Sequence, residues 1–442
     1  MEQIQQQQQN TGRKDGGGET HSSHHHHHHH SSRRSKNSKL EKFIKKHKHS
    51  LINVLILVCA LTAVIVMGLL GDLQGPPGKN SGNMTTTGPE PTKDQSVVTT
   101  LQVEVTHFSQ PVCLIPTQAY AFMNRISDLP FYEAVLQYRK SDARLDIGLP
   151  VSLRYHVGNM PTGLSLVGVT VEVAEDATFA NARIFQFNSY AETAQIYLLK
   201  TATVYYYRVG VVLSDKTTTY TMGTFVTENT PRILSIEGIA NVRDIGGWKT
   251  LDGKVVKQGL LYRGSELDGA VHSAFVLTDR GAHDMLRVLG IRTDMDLRGP
   301  EENILNKHAL GANVRHIYYG VNQYSYIFDP AEYGPIRAVF SDLADPGKYP
   351  VYLHCTYGCD RTGTVCYLLS ALLGVGEADL RRDYELSALY YNWFEPNALE
   401  DFVAQLKTWP GDTLQQKTEN FLLAAGVTEE EIASIRQIFL GA

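Results

Sequence analysis

The sequence predicts a multidomain protein with a single transmembrane helix, an all-β sandwich and an α/β domain. Residues 51–70 are an apolar run of 20 residues without a charge, which is long enough to cross a bilayer core. Short strands with a period of two occupy about 98–229, and strands alternate with helical patterns over 230–442. The chain of 442 residues is long enough for two or three domains.

Residues 1–50 are predicted to be a disordered, basic, cytoplasmic segment. They contain a glutamine run at 5–9 and a histidine run at 24–30, and their Lys and Arg residues outnumber Asp and Glu. Three interpretations of the histidine run stand, namely a metal-binding tract, an affinity tag and neutral low complexity, and no partner is inferred from it. The whole chain has a formal net charge of −5, and no nucleic-acid partner is predicted.

Residues 51–71 are predicted to be a transmembrane signal anchor. Several lysines precede this run, whereas its downstream flank is nearly neutral. The positive-inside rule then places the N-terminus in the cytoplasm and the rest of a single-pass cell-membrane protein outside. A cleaved signal peptide fits less well, because the run is long and begins far from the N-terminus. Residues 72–97, rich in Gly, Pro and Thr, are predicted to be a flexible stalk.

Residues 98–229 are predicted to form a β-sandwich. Apolar and polar residues alternate over 151–155, valines repeat with a period of two over 167–173, and comparable strands follow with turn residues between them. One strand carries regularly spaced side chains at Leu199, Thr203, Tyr205, Tyr207 and Val209. This spacing is similar to the penultimate strand of fibronectin type III domains, with Thr201 where that family usually has proline. The predicted role of the region is a spacer or a module for a surface ligand.

One loop between a predicted strand and a predicted helix holds the candidate chemistry. The strand is the apolar run at 351–353. Cys355 is the candidate nucleophile, because converging amides at a helix N-terminus favour a thiolate. Arg361 can hold two oxygens of a tetrahedral oxyanion, and Asp360 can protonate a leaving oxygen and later activate water. The other predicted phosphate-binding residues are His354, Thr356, Tyr357, Gly358, Cys359, Thr362 and Gly363.

Two residues of this loop are expected to support the cysteine. Thr362 can donate a hydrogen bond to the sulfur, and His354 is expected to orient the loop from behind. The joint pattern His-Cys-x5-Arg-Thr resembles the signature of the protein tyrosine phosphatase superfamily.

Further segments of the α/β domain keep the order and spacing of one family within that superfamily. They are 241–248, 259–265, 289–292, 296–298, 301–302 and 383–387. Together they resemble the bacterial-type tyrosine phosphatases, some of which also act on phosphoinositides and phosphoserine. The resemblance implies that four residues buttress the active site: Arg243, Asp244, Asp296 and Arg298. These residues either form an ion-paired structural network or contact the substrate directly.

Two aspartates are candidates for the general acid. Many members of the superfamily carry an aspartate on a mobile loop well before the cysteine, and Asp329 occupies a comparable place. The resembled family instead uses the aspartate inside the loop, which corresponds to Asp360. Asp360 is the favoured assignment, and Asp329 is the alternative.

Cys359 is a departure from the resembled family, which commonly has lysine at this position. That lysine is linked to the binding of additional phosphate groups, so its absence weakens the case for a phosphoinositide substrate. Two interpretations of Cys359 stand. It either pairs reversibly with Cys355 and switches the enzyme off, or lies inside the domain as a small apolar residue.

The resulting prediction is a membrane-anchored, cysteine-dependent phosphatase that acts through a cysteinyl-phosphate intermediate. Its predicted substrate is phosphotyrosine, with phosphoserine and phosphothreonine as further candidates, in a phosphorylated protein or a small phosphomonoester. The alternatives are an inositol phosphate or phosphoinositide phosphatase and a catalytically silent phosphate-binding surface module. No cofactor and no metal are predicted, so activity should survive a chelator.

Overall fold

The computed structural model describes residues 100–125, 138, 144–302, 308–391 and 396–441. All of them belong to one compact unit, which spans residues 95–442. The segments predicted at 1–50, 51–71 and 72–97 lie outside the described residues.

The predicted membrane architecture is corrected by the structure. In the described part of the chain, no helix is both long and apolar enough to cross a membrane. A bilayer core takes about 20 consecutive apolar residues, whereas the helix at Asp360–Leu372 has 13 residues. The described residues therefore do not support the predicted fold class with a single transmembrane helix, nor the predicted cell-membrane location with the catalytic domain outside. The described residues form α-helices and three β-sheets.

The first part of the described chain forms two antiparallel sheets that share one apolar core. The sheet orders are β1-β2-β5 and β4-β3-β6-β7. The strands are β1 Gln102–Val105, β2 Val151–Gly158, β3 Leu166–Ala174, β4 Arg183–Phe187, β5 Ala191–Ile196, β6 Val204–Leu213 and β7 Thr218–Val226, with helix α1 at Thr117–Met123 after β1. The predicted alternation is confirmed in β2, where buried and outward-facing residues take turns. The fibronectin type III assignment and the boundaries at 98 and 229 stay predictions.

The second part of the chain is built on a five-stranded sheet in the order β11-β10-β12-β9-β8. Its strands are β8 Arg243–Asp244, β9 Leu261–Gly264, β10 Thr293–Asp296, β11 Arg315–Tyr318 and β12 Val351–His354. The four strands β9 to β12 are parallel, and β8 is antiparallel to β9. His354 is in register with Gly264 on one side and with Asp296 on the other. The carboxyl ends of three neighbouring strands therefore meet at one edge, where ligands bind in open parallel sheets.

Helices surround this sheet. They are α2 Asp279–His283, α3 Tyr333–Leu343, α4 Asp360–Leu372, α5 Glu377–Glu385, α6 Pro396–Leu406, α7 Leu414–Ala424 and α8 Glu429–Leu440. Helix α4 follows β12 and is buried along nearly its whole length, as its apolar sequence requires. Thr428 caps α8 by accepting a hydrogen bond from the backbone N–H of Glu431.

Polar contacts join the two-sheet region to the five-stranded sheet. The Gln258 side chain accepts a hydrogen bond from the backbone N–H of Thr201 and donates one to the Thr201 carbonyl. Arg232 donates to the Leu199 carbonyl and forms a buried ion pair with Asp244, at 2.7 Å. These contacts hold the two regions together within one compact unit.

Candidate active site

The candidate loop connects the central strand β12 to helix α4. Cys355 follows the strand directly and is only 1% exposed. Gly358 has a φ of +65°, and a Cβ there would lie 2.1 Å from the Gly264 carbonyl oxygen. Only glycine fits both the backbone conformation and this close approach. The loop is therefore held against the carboxyl end of β9.

Two side chains hold the carbonyl groups of the loop. Asn241 Nδ2 donates to the carbonyls of Tyr357 and Gly358, at 3.1 and 3.2 Å. Arg263 Nη2 donates to the Gly358 carbonyl at 2.7 Å. A peptide plane places C=O and the following N–H on opposite sides. The N–H groups of Gly358 and Cys359 therefore point away from these donors, as a phosphate cradle requires.

Arg361 is engaged by a carboxylate that the sequence did not single out. Its guanidinium forms a two-pronged ion pair with Glu302, and Thr356 Oγ1 donates to the same carboxylate at 2.9 Å. The hydrogen bonds from Arg361 are the main reason why the pKa of Glu302 falls to about 2. Glu302 thus stays ionised in the physiological range and holds two loop residues in place.

Two hydrogen-bond donors of the loop are buried without a partner in the described structure. They are Nε of Arg361 and Oγ1 of Thr362. Buried polar groups nearly always have a partner, so this pair is unusual. The predicted hydrogen bond from Thr362 to sulfur is not formed here. Both donors belong to the loop that is predicted to bind an oxyanion.

Asp360 is positioned by a buried tyrosine. Tyr324 donates its hydroxyl hydrogen to Asp360 Oδ1 at 2.5 Å and is also hydrogen-bonded to the Tyr384 hydroxyl. Burial and the neighbouring Tyr384 raise the pKa of Tyr324, so it remains a protonated donor. Tyr324 has a φ of +52°, a conformation that is costly for a side chain of this size. The backbone at Tyr324 is therefore strained in the conformation that brings this hydroxyl to Asp360.

Asp329, the alternative acid, has a local structural role. It is exposed, and its carboxylate accepts a hydrogen bond from the backbone N–H of Ala331 at 2.9 Å. This contact caps the short 3-10 helix Pro330–Glu332. The geometry therefore favours Asp360 as the general acid.

His354 lies behind the loop as expected. Its Nε2 is 3.0 Å from Asp294 Oδ1, and its Nδ1 is 3.2 Å from the Cys355 carbonyl oxygen. Burial alone would lower the pKa of His354, but the carboxylates of Asp296 and Asp294 outweigh it and raise the pKa to about 9. A charged His354 can donate to the Cys355 carbonyl and fix the start of the loop.

The four predicted supporting residues are buried and ion-paired. Arg243 contacts Asp383 at 3.0 Å, and Asp244 contacts Arg232. Arg298 binds Asp296 at 2.7 Å. Arg298 also binds Glu266 and Asp268, and Arg263 shares Asp383 with Arg243. These contacts favour the structural-network interpretation over direct contact with the substrate.

Several residues of the site were not assigned a role from sequence. Asn241, Arg263, Glu302 and Asp383 lie in the segments that carry the family resemblance, so that resemblance was a usable signal. Tyr324 had no such signal, because its role depends on a strained turn that brings it to helix α4.

Cys359 is buried and packs beside Phe275 and Tyr391. Burial, and then the nearby charge of Asp360, raise the pKa of the Cys359 thiol well above its ordinary value. Both Cys355 and Cys359 are free thiols in the structure. Because disulfide exchange requires a thiolate, these observations favour the apolar interpretation of Cys359.

Comparisons with known proteins find similarity over the part of the chain that carries this site. Residues 234–441 match the model of the tyrosine phosphatase family. A protein of Cupriavidus necator named as a tyrosine-protein phosphatase is 32% identical over 176 residues, covering 34% of this chain and 61% of that protein. A tyrosine-protein phosphatase of Nostoc commune is 30% identical over 135 residues, covering 26% and 46% respectively. The chain thus spans less than two thirds of the length of either relative.

Among solved structures, the core catalytic domain of the yeast PP-IP phosphatase SIW14, in complex with citrate, is similar at 15% identity with a TM-score of 0.24. The match covers 34% of this chain and 84% of that one. On the family match and the named relatives, this chain contains, at residues 234–441, a domain of the tyrosine phosphatase family.

Proposed function

We propose that this chain hydrolyses phosphate monoesters of tyrosine through a covalent cysteinyl-phosphate. One observation carries the proposal. Cys355 follows β12 directly and Arg361 lies in the first turn of α4, at the two ends of one loop whose carbonyls accept hydrogen bonds from Asn241 and Arg263. This arrangement brings a nucleophile, a fixed cation and backbone N–H groups into one short segment, and phosphoryl transfer uses all three.

In the first step, the Cys355 sulfur attacks phosphorus and forms the S–P bond as the bond to the ester oxygen breaks. Arg361 and the loop N–H groups bind the non-bridging oxygens, where negative charge accumulates. Asp360 gives its proton to the leaving phenolate oxygen. Tyr324 donates to Asp360 Oδ1, which leaves Oδ2 as the oxygen for that proton.

In the second step, water attacks phosphorus and the S–P bond breaks. Asp360 accepts the proton of the attacking water and returns to its initial protonated form. Inorganic phosphate leaves, and the departing thiolate of Cys355 is ready for the next cycle. Thr362 Oγ1, buried without a partner in the described structure, is a suitable donor to this sulfur.

An aromatic cluster beside the loop supports an aryl ester as the substrate. The ring of Tyr357 packs edge-on against His272 at 5.5 Å, Phe275 at 5.9 Å and Tyr391 at 5.3 Å between ring centroids. Aromatic walls favour a phenyl group over a polar inositol ring. The burial of Cys359 also means that this position supplies no cation for further phosphates.

The test compares three substrates with the full-length chain: a phosphotyrosine peptide, a phosphoserine peptide and inositol hexakisphosphate. Phosphate release is measured with and without dithiothreitol and with a chelator. We expect fastest turnover of the tyrosine peptide, loss of all turnover in Cys355→Ser, and retention in the chelator. Cys366→Ser, which alters a buried cysteine of helix α4, is the matched control and should remain active. No turnover by the reduced wild type would refute the proposal.

A further inference from the structure

We propose that Asp146 is a positioning residue for the phosphate-binding loop, although it lies outside the tyrosine phosphatase family domain. This inference rests on the function proposed above. Asp146 precedes strand β2 and belongs to the stretch predicted as the sandwich. It is 2% exposed and therefore a buried carboxylate far in sequence from the catalytic loop.

The contacts of Asp146 lead directly to the residue that holds the loop. Asp146 Oδ2 accepts a hydrogen bond from the backbone N–H of Asn241 at 2.8 Å. The Asn241 side chain then donates to the loop carbonyls of Tyr357 and Gly358. Only one residue thus separates Asp146 from the predicted phosphate cradle.

The backbone at Asn241 makes this contact consequential. Asn241 has a φ of +57°, in the left-handed region that asparagine adopts more readily than most residues other than glycine. Its side-chain oxygen accepts a hydrogen bond from Arg243 at 2.6 Å. The backbone bond to Asp146 and the side-chain bonds together fix the amide toward the loop. Without Asp146, a buried N–H would lose its partner and the turn at Asn241 would lose one hydrogen bond.

Asp146 itself is held in a fixed orientation. Arg144 donates to both of its oxygens, at 3.0 and 2.8 Å, and stacks over the Tyr390 ring at 5.0 Å. Tyr390 is a neighbour of Tyr391, which donates to the Tyr357 carbonyl at 2.8 Å. The Arg144–Asp146 pair therefore contacts the surroundings of the loop on two sides.

A second contact in the same chain segment provides a matched control. The Ser235 hydroxyl accepts from the Gly148 backbone N–H at 3.0 Å and donates to the Gly148 carbonyl at 3.1 Å. It fastens the segment that carries Asp146 to the rest of the protein, but it does not contact Asn241. Ser235→Ala therefore removes interface hydrogen bonds without removing the proposed link to the loop.

The test measures kcat, KM and the inhibition constant of vanadate for the wild type and for Asp146→Ala, Asp146→Asn, Asn241→Ala and Ser235→Ala. All are full-length chains assayed well below their melting temperatures. We expect Asp146→Ala to lower kcat and weaken vanadate binding by about 10- to 100-fold, because misplaced catalytic groups cost that much. Asp146→Asn keeps an acceptor and should lose less, while Ser235→Ala should stay within about twofold of the wild type.

The double variant Asp146→Ala/Asn241→Ala separates positioning from general destabilisation. If Asp146 acts through Asn241, the double variant should have the same kcat as Asn241→Ala alone. The inference is overturned if Asp146→Ala loses thermal stability as Ser235→Ala does but keeps wild-type kcat and vanadate affinity. A wild type without turnover would instead refute the proposed function, and vanadate binding measured by calorimetry would still compare the variants.

Discussion

The two-sheet region and the five-stranded sheet bury different kinds of side chain. The shared core of the two-sheet region is apolar, built from residues such as Val151, Val209 and Leu213. Around the loop, by contrast, three arginines rank among the largest fully buried side chains: Arg243, Arg263 and Arg298. Burying a charge is costly unless it is paired and hydrogen-bonded, and apolar groups often stabilise a core better. The charged network is therefore best explained by the loop that it holds, whereas the apolar core provides stability.

The largest effect is expected at the catalytic loop, around which the charged network lies. Asp360→Asn should lower kcat on a phosphotyrosine peptide by about 10²- to 10⁴-fold, because it removes the proton that the leaving oxygen needs. The pH–rate profile should also lose the limb that reports this acid. Asp329→Asn is the matched variant and should keep both kcat and the profile, since Asp329 only caps a short helix. A large loss in Asp329→Asn with little change in Asp360→Asn would reverse the assignment.

A substitution in the apolar core should lower the stability of the protein and leave its kcat unchanged. Leu213→Ala, at the end of β6, should lower the free energy of unfolding by about 2 to 5 kcal/mol, because it removes buried methyl groups and leaves a cavity. Urea unfolding measures this loss. The kcat of the folded variant should equal that of the wild type. A parallel fall in kcat at temperatures where the variant is folded would show that the two regions do not divide stability and catalysis in this way.

A smaller effect is expected from the pH dependence of the charged network. The folded-state pKa of His354 is raised to about 9, above an unfolded value of about 6.5. The folded protein therefore binds this proton more tightly. The stabilisation is fully present below pH of about 6.5 and is lost as the pH rises through about 9. The contribution is on the order of 3 kcal/mol.

Urea unfolding between pH 6 and 10 measures this pH dependence, and His354→Gln is the comparison. The variant should show a shallower decline than the wild type. Some decline should remain, because Asp294 also raises the pKa of His316. Identical slopes in the two proteins would contradict the assignment to His354.

Local sequence patterns were sufficient for much of this molecule. The period of two predicted the buried and exposed faces of β2, and the apolar run at 351–353 predicted the central strand. The spacing of Cys355, Arg361 and Thr362 placed the loop before a helix, where the structure has it. The apolar run at 51–70 predicted a spanning helix, but no helix in the described part of the chain is long and apolar enough to cross a membrane.

The sequence by itself determined the strand, loop and helix that carry Cys355 and Arg361, because each depends on residues within a few positions of one another. Only the tertiary structure decided what holds them. Asn241, Glu302 and Tyr324 reach the loop from 36 to 117 positions away. Their contacts depend on the order of strands in the sheet and on how the loops between them close. No local periodicity encodes these features, so the contacts that these three residues make with the catalytic loop became visible only in the folded chain.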